Sequence, residues 1–511
     1  MSTAEIFMFY KLIERKRNQW LSEIESTHPA KVLLKHIAAV NALRDAQIEA
    51  VKTYLFLKLA CGARPLWSLF NDGVFNTLDA QQSSRFSESR DFLEKNPGAL
   101  ALLEYASFPT AKGKPTAPAL KTLMEEHPEQ VDAAAVWKKI FYGVGYTDYL
   151  FSLPMGAGKT FLMAAFIYID LYFARQNPED PRFAHNFMVF APSGLKSSIV
   201  PSLRKMQDFD PAWVIPEPEA TKLRRLITFE VLDEQKSAKN SNRIKNPNAH
   251  KVNSFISTNV TDNMGFVAVT NAEKVILDRF IDEGELGLPV EEDERVKLAN
   301  EFRSLIGKLP HLSIFIDEVH HAADGEIKLR KVVTQWAETA ENTFVQTIGF
   351  SGTPYLEKAE EIVFTDDLKI KTTDLCNIVY HYPLIKGLGN FLKIPRVEVS
   401  SSDSSEEIVA SGLRDFLEHY ADTVYAGGLV AKLAIYCGQI ENLEERIAPV
   451  VAAVLSEKGF DPAVAMLKFH RGGRNFLNGT EILSKRNRQD ASLLLAPRSR
   501  VCWLFPGGQR A

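Results

Sequence analysis

The chain has 511 residues, of which 45% are apolar and 10% aromatic, so it is long enough for two or three hydrophobic cores. Its 60 basic and 64 acidic side chains give a net charge of −4, so any nucleic-acid-binding surface must concentrate positive charge locally. No apolar run approaches the length of a membrane span.

Cysteine usage and the N-terminus indicate the compartment. The cysteines stand far apart without a CxxC pair, which argues against a zinc site and a disulfide framework. In the first twenty residues the charges lie among and after the apolar residues, unlike in a signal peptide. We therefore expect a cytoplasmic protein without a membrane partner.

The first predicted domain, residues 1–137, is mainly helical. Apolar residues recur at helical spacing in residues 4–70, as at Leu33, Ile37 and Val40. Residues 71–137 have a mixed pattern interrupted by prolines, including Pro118, which predicts loops between short elements.

The string SLPMGAGKT at 152–160 follows an apolar segment and precedes a helix-like run, which is the arrangement of a phosphate-binding loop. Its glycines let backbone N–H groups face an anion, Lys159 supplies charge for the β- and γ-phosphates, and the Thr160 hydroxyl suits Mg²⁺. Leu153 stands where the Walker pattern has a glycine, so the match covers the second half of that pattern. The predicted residues for binding ATP are Gly156, Ala157, Gly158, Lys159 and Thr160.

A region from about 146 to 382 alternates strand-like and helix-like segments. This alternation predicts a parallel sheet with helices on both faces, whose ligands bind at the carboxyl ends of the strands. The candidate strands are 149–153, 186–191, 226–230, 265–270, 312–316 and 345–350.

The fifth candidate strand ends in Asp317 and Glu318, within the sequence DEVH. We expect Asp317 to hold Mg²⁺ and Glu318 to orient and polarise the attacking water. The alternative is a strand end that meets solvent, and the phosphate-binding loop upstream favours the catalytic interpretation. The sixth candidate strand ends in SGTP at 351–354, where a plain turn is the alternative.

These three motifs, in this order, resemble those of the superfamily 2 helicases and translocases. The strings FSLPMGAGKTFLMAAF, DEVHHA and GFSGTPY are most similar to the Res subunit of type III restriction enzymes. The resemblance implies an ATP-dependent DNA helicase or translocase with a RecA-like first lobe at 138–395, using ATP and Mg²⁺. It also implies DNA contacts, mainly through phosphates, and a partner that is a modification (methyltransferase) subunit or a downstream polypeptide completing the motor.

The resemblance assigns further residues. It implies that His320, Ser351 and Thr353 couple the nucleotide to the nucleic acid. Plain strand-to-loop transitions are the alternative for the segments at 188–196 and 266–271, which resemble motifs Ia and Ib. The residues implied to contact DNA or to couple it to ATP are Ser193, Gly194, Lys196, Thr270, Asn271, Ser351, Thr353 and Gln439.

Gln47 lies in LRDAQIEAV at 43–51, which resembles the segment that places a glutamine against adenine in many of these enzymes. A glutamine amide can both donate to and accept from one base edge, which discriminates adenine from guanine. The alternative is a surface glutamine on an amphipathic helix. The wide separation from Lys159 requires a large insertion to fold between them.

Three further segments complete the expected organisation. Residues 236–253 are polar and basic and predict a loop, with nucleic-acid contact as the alternative, and residues 282–297 predict an acidic surface excursion. Residues 400–407 predict a linker. Residues 433–437 with Gln439 resemble motif IV, which implies a partial second RecA-like lobe at 408–511.

No segment after residue 455 resembles motif V or the arginine-bearing motif VI. The sequence therefore leaves three hypotheses open: a DNA-dependent ATPase of the restriction-helicase type, an ATP- and DNA-binding remnant or subunit with little turnover, and a P-loop ATPase unrelated to nucleic acid. The SGTP turn and residues 193–196 speak against the third hypothesis, and the missing motifs favour the second.

Overall fold

A computed structural model describes residues 9–79, 87–110, 113–192, 199–232, 249–258, 264–271, 275, 303–317, 323–339, 344–353, 355–363, 369–392, 404–421, 423–425, 429–431, 433–437, 439, 441–468 and 493–496. The chain divides into two compact units, Met1–Ile394 and Pro395–Ala511. The domain bounds 1–137, 138–395 and 408–511 remain predictions.

The first part of unit one is helical. A five-residue π-helical segment, Phe56–Ala60, continues the third helix without a break. The helices are α1 Phe9–Glu23, α2 Pro29–Val40, α3 Asp45–Leu55, α4 Leu66–Asn71, α5 Ser87–Lys95, α6 Pro97–Ser107, α7 Pro118–Glu126 and α8 Ala133–Ile140.

Residues 71–137 are more helical than their sequence pattern indicated. Pro97 and Pro118 stand in the first turns of α6 and α7, where a proline costs no helical hydrogen bond and its fixed φ suits the helix. Pro118 therefore begins a helix, where the sequence pattern predicted a loop.

Unit one is built around a seven-stranded, all-parallel sheet in the order β3-β4-β2-β5-β6-β1-β9. All six predicted strands are present within two residues of their expected bounds. The strands of the sheet are β1 Asp148–Ser152, β2 Asn186–Ala191, β3 Thr228–Val231, β4 Phe266–Asn271, β5 Leu312–Asp317, β6 Gln346–Ser351 and β9 Ile378–His381.

The sequence analysis missed three strands of this unit. One is β9, which adds an edge to the sheet beside β1. The other two, β7 Tyr355–Val363 and β8 Lys369–Asp374, pair antiparallel with each other. Since β7 and β8 are rich in charged residues, they lack the continuous apolar pattern of a buried parallel strand.

Helices cover both faces of the sheet, so the predicted α/β architecture is confirmed. On one face, Phe187 and Val189 of β2 belong to a core with helices of the N-terminal region and the central helix α9 Lys159–Gln176. On the other face, Met188 and Phe190 of the same strand pack in a core that includes Trp336. The remaining helices of the unit are α10 Val200–Gln207, α11 Glu219–Leu226, α12 Ala249–Thr258, α13 Ala323–Glu338 and α14 Leu384–Gly387.

The second unit contains a three-stranded parallel sheet in the order β12-β14-β13 and a core that includes Leu413, Leu443 and Val451. Its strands are β10 Val424–Tyr425, β11 Leu429–Val430, β12 Leu433–Tyr436, β13 Met466–Lys468 and β14 Leu493–Ala496. Its helices are α15 Ser405–Tyr420, the π-helical Asn442–Ile447, α16 Ala448–Glu457 and α17 Pro462–Ala465.

Two loop predictions are wrong in part. The predicted loop at 236–253 lies mostly outside the described residues, but α12 already begins at Ala249. The predicted linker at 400–407 gives way to α15, because the Ser404 side chain accepts a hydrogen bond from the Glu407 backbone N–H and caps that helix. The acidic excursion at 282–297 lies outside the described residues. Within the described residues, no helix is long and apolar enough to cross a membrane.

Candidate nucleotide site

The phosphate-binding loop joins the carboxyl end of β1 to the start of α9. Gly156 and Gly158 have φ values of +83° and +85°, in the left-handed region that glycine adopts without a Cβ clash. Lys159 is the first residue of α9 and is 9% exposed, and Thr160 follows it in the first turn. The start of a buried helix therefore points toward the position where an anion would sit.

The two other motifs lie at the same edge of the sheet. Ser351 at the end of β6 is the register partner of Ser152 in β1, and Asp317 at the end of β5 is opposite Phe350 in β6. Because β6 lies between β1 and β5, Asp317 is two strand spacings, about 10 Å, from the base of the phosphate-binding loop. Glu318 and His320 lie outside the described residues.

Residues 351–353, the described part of the SGTP sequence, form a hydrogen-bonded turn next to the phosphate-binding loop. The Ser351 hydroxyl donates to the Thr353 carbonyl (2.7 Å) and accepts from the Thr353 N–H (3.1 Å). The Ser351 carbonyl accepts from the Leu153 N–H (2.9 Å). A movement of this turn would therefore be transmitted to the base of the phosphate-binding loop through the Leu153–Ser351 backbone hydrogen bond.

Gln47 lies against the phosphate-binding loop, although it is separated from it by more than a hundred residues of chain. Its Nε2 donates to the Gly158 carbonyl (3.1 Å), and its Oε1 accepts from the Arg44 N–H (3.0 Å). A Cβ at Gly158 would lie only 2.6 Å from Nε2. Gln47 is 3% exposed, so the alternative of a surface glutamine is wrong, whereas its contact with adenine remains a prediction.

His381 is a residue near the loop that the sequence analysis missed. Its Nδ1 lies 3.0 Å from the Ser152 Oγ, at the end of the unpredicted strand β9. Burial, with a smaller contribution from Lys386, lowers the pKa of His381 to about 4, so the ring is neutral at pH 7. In the sequence, the short apolar run IVY that precedes His381 could have indicated the strand β9.

The predicted DNA-contacting residues are only partly described. Thr270 is buried and Asn271 half-buried at the end of β4, at the same carboxyl edge as the nucleotide motifs. Gln439, in the second unit, is exposed. Ser193, Gly194 and Lys196 lie outside the described residues.

Oxygen ligands for a divalent cation are available at this edge. Thr160 offers a hydroxyl in the first turn of α9, and Asp317 a half-buried carboxylate at the end of β5. A hydroxyl and a carboxylate are hard oxygen ligands of the kind that Mg²⁺ prefers. Within the described residues, no group of three or more metal-ligating side chains occurs.

The fold and this edge are those of a RecA-like P-loop NTPase domain. Residues 123–356 match the family described as "Type III restriction enzyme, res subunit". The matched stretch is similar to the helicase-like domain of that family and contains the phosphate-binding loop, the DEVH sequence and the SGTP sequence. The resemblance to the Res subunit is thereby confirmed for this domain.

Three solved structures are similar to this chain at low sequence identity. The NS3-like helicase of Alongshan virus is 12% identical, with 68% of this chain and 57% of that chain covered and a TM-score of 0.31. The type ISP restriction-modification enzyme LlaBIII bound to DNA is 13% identical, with 69% and 23% covered and a TM-score of 0.33. The SWI2/SNF2 ATPase core of Sulfolobus solfataricus in complex with dsDNA is 10% identical, with 71% and 76% covered and a TM-score of 0.23.

The chain spans just over half of the viral helicase chain and about a quarter of the LlaBIII chain. No curated protein matches the sequence.

Proposed function

We propose that this protein is a cytoplasmic, DNA-dependent ATPase of the superfamily 2 DExH type that acts as a helicase or translocase in a type III restriction-like system. The observation that supports the proposal most is the meeting of three motifs at one carboxyl edge of a parallel sheet. The glycine loop with Lys159, the carboxylate end of β5 and the Ser351 turn come from three neighbouring strands.

Each of the predicted site residues has a separate task in the proposed reaction. The loop N–H groups and Lys159 bind the phosphates of ATP and neutralise charge that develops on the γ-phosphate. Thr160 and Asp317 would hold Mg²⁺, which supplies further charge neutralisation when bound. Glu318 orients the attacking water, and His320, Ser351 and Thr353 relay the state of the nucleotide to the DNA.

The proposed DNA contacts are made to phosphates and are therefore independent of base sequence. Ser193, Gly194, Lys196, Thr270 and Asn271 are the proposed contacts in the first unit, and Gln439 is the proposed contact in the second. The proposed partner is a modification (methyltransferase) subunit or a polypeptide that completes the motor.

Lys159→Ala tests the nucleotide site. We expect calorimetry to show ATP affinity about 10- to 100-fold weaker than that of the wild type, because a charge-assisted contact to phosphate is lost. Phosphate release, measured with and without DNA, should fall to background. The matched control is Lys222→Ala, which removes a half-exposed lysine on α11.

Two results would contradict the proposal. Unchanged ATP affinity in Lys159→Ala, in a variant with the wild-type circular dichroism spectrum, would refute the assignment of the loop. Phosphate release by the wild type that DNA does not stimulate would instead favour an ATPase unrelated to nucleic acid.

A further inference from the structure

Immediately after β9 the chain turns back across the base of the phosphate-binding loop. We call residues 383–392 the strap. The residue before the strap, Tyr382, donates its N–H to the Ser152 carbonyl (2.9 Å) at the end of β1. Its ring lies 5.8 Å from that of Phe391, and its hydroxyl donates to the Lys386 carbonyl (3.0 Å). The strap therefore begins beside the first residue of the motif SLPMGAGKT.

The far end of the strap lies against the loop itself. A Cβ built on Gly156 would lie 3.3 Å from Cδ2 of Leu392. Arg44 joins the two parts, because its Nη1 donates to the Gly156 carbonyl while its guanidinium lies 5.2 Å from the centre of the Phe391 ring. Gly156 is thus contacted on its outer side by Leu392 and through its carbonyl by Arg44.

Most of the strap's own backbone hydrogen bonds are local. The Leu392 N–H donates to the Gly387 carbonyl (2.9 Å), and the Gly389 N–H donates to the Leu392 carbonyl (2.7 Å). A segment held by local bonds and a few side-chain contacts opens at low free-energy cost. The packing of the strap against the loop is consequently sensitive to the conformation of Gly156, which Leu392 contacts.

A glycine loop has many backbone conformations, and fixing one of them costs conformational entropy whenever an anion binds. A contact that already holds Gly156 at φ +83° reduces this cost, because the loop is preorganised before the ligand arrives. By thermodynamic linkage, a ligand that requires the same conformation must stabilise the strap to the same degree.

We propose that the strap is a positioning element that holds the phosphate-binding loop in the conformation that binds nucleotide. Nucleotide binding in turn stabilises the packing of the strap against the loop. Leu392 and Phe391 carry this coupling through Gly156 and Arg44. The inference rests on the proposed binding of ATP at Lys159. It adds that the chain leading out of the ATPase unit responds directly to occupancy of the loop.

Hydrogen–deuterium exchange of the full chain tests the coupling without a variant. In the wild type, we expect peptides covering 383–392 to exchange more slowly with saturating Mg²⁺ and a non-hydrolysable ATP analogue than without nucleotide. In Leu392→Ala, we expect calorimetry to show affinity for the same analogue about five- to tenfold weaker, at the lower end of usual coupling strengths. Val32→Ala, at a 44% exposed apolar side chain of α2, is the control and should change neither quantity.

The outcomes separate this inference from the proposed function. If calorimetry shows that the wild type binds the analogue but exchange in the strap does not change, the strap inference is wrong and the proposed function stands. If the wild type does not bind the analogue, both fail. Wild-type affinity in a folded Leu392→Ala variant would also overturn the coupling.

Discussion

At the scale of single residues, the proposed site assigns different tasks to Lys159, Asp317 and Glu318. Lys159 lies in the first turn of a buried helix, and Asp317 ends β5, which is two strands away from β1 in the sheet. Glu318 follows Asp317 directly in sequence. The different tasks of these two carboxylates remain a prediction.

Substitution of the two carboxylates should therefore give different results. We expect Glu318→Gln to keep Mg²⁺-dependent ATP binding but to lower phosphate release by about 10²–10⁴-fold, because the water loses its general base. Asp317→Asn should instead weaken the dependence of binding on Mg²⁺. Calorimetry at several Mg²⁺ concentrations and a phosphate-release assay distinguish these effects, with Glu129→Gln as an exposed control. Loss of ATP binding in Glu318→Gln together with normal turnover in Asp317→Asn would reverse the two assignments.

At the scale of elements, the N-terminal helices are joined to the central helix α9 by a buried polar network. Lys58 of the π-helical segment lies 3.1 Å from Asp170 of α9, and both side chains are fully buried. Asp170 also accepts from the Tyr54 hydroxyl (2.7 Å) and the Ala184 N–H (3.0 Å). Burial is the largest influence on both groups, raising the pKa of Asp170 and lowering that of Lys58, and their mutual attraction opposes it.

Removal of one partner of the Lys58–Asp170 pair should destabilise the folded protein. We expect Lys58→Met to lower the free energy of unfolding by about 3–5 kcal/mol, because it leaves a carboxylate buried without its cation. The double variant Lys58→Met/Asp170→Leu should be less destabilised than the single one, since no unpaired charge remains. Urea unfolding followed by circular dichroism measures both. A double variant at least as unstable as the single one would show that the packing of the network matters more than its charge.

At the scale of the whole molecule, buried and half-buried histidines at the amino and carboxyl ends of the strands should make stability depend on pH. His185 and His311 precede β2 and β5, and their rings stack with centroids 4.0 Å apart. Burial, and next the neighbouring His311, lower the pKa of His185 to about 4, and burial also lowers the pKa of His311. His381, at the carboxyl end of β9, has a similarly low pKa of about 4.

The folded and unfolded chains bind different numbers of protons at acidic pH. Between pH 6.5 and 4 the unfolded chain, with ordinary histidines, binds more protons than the folded one, so the free energy of unfolding falls as the pH is lowered through this range. We expect His185→Phe, which keeps an aromatic ring against His311, to reduce this slope. Urea unfolding at a series of pH values measures it, with exposed His127→Phe as the control. An unaltered slope in His185→Phe would show that other groups dominate.

The sequence alone determined the class of the protein and the edge of the sheet at which its site lies. Buried parallel strands are continuous apolar runs that end where polar residues begin, so β1, β2, β5 and β6 could be located from local pattern, with their motif residues at the carboxyl ends. The glycines of the phosphate-binding loop were recognisable because positive φ at those positions requires them.

Tertiary structure decided what depends on contacts between distant parts of the chain. The placement of Gln47 on Gly158, the pairing of Lys58 with Asp170 and the packing of Leu392 on Gly156 each join residues more than a hundred positions apart. Such contacts have no local periodicity, since they depend on how whole helices pack against the sheet. A buried glutamine on α3 has the same helical pattern as a surface one, and only the packing of that helix against the phosphate-binding loop distinguishes them.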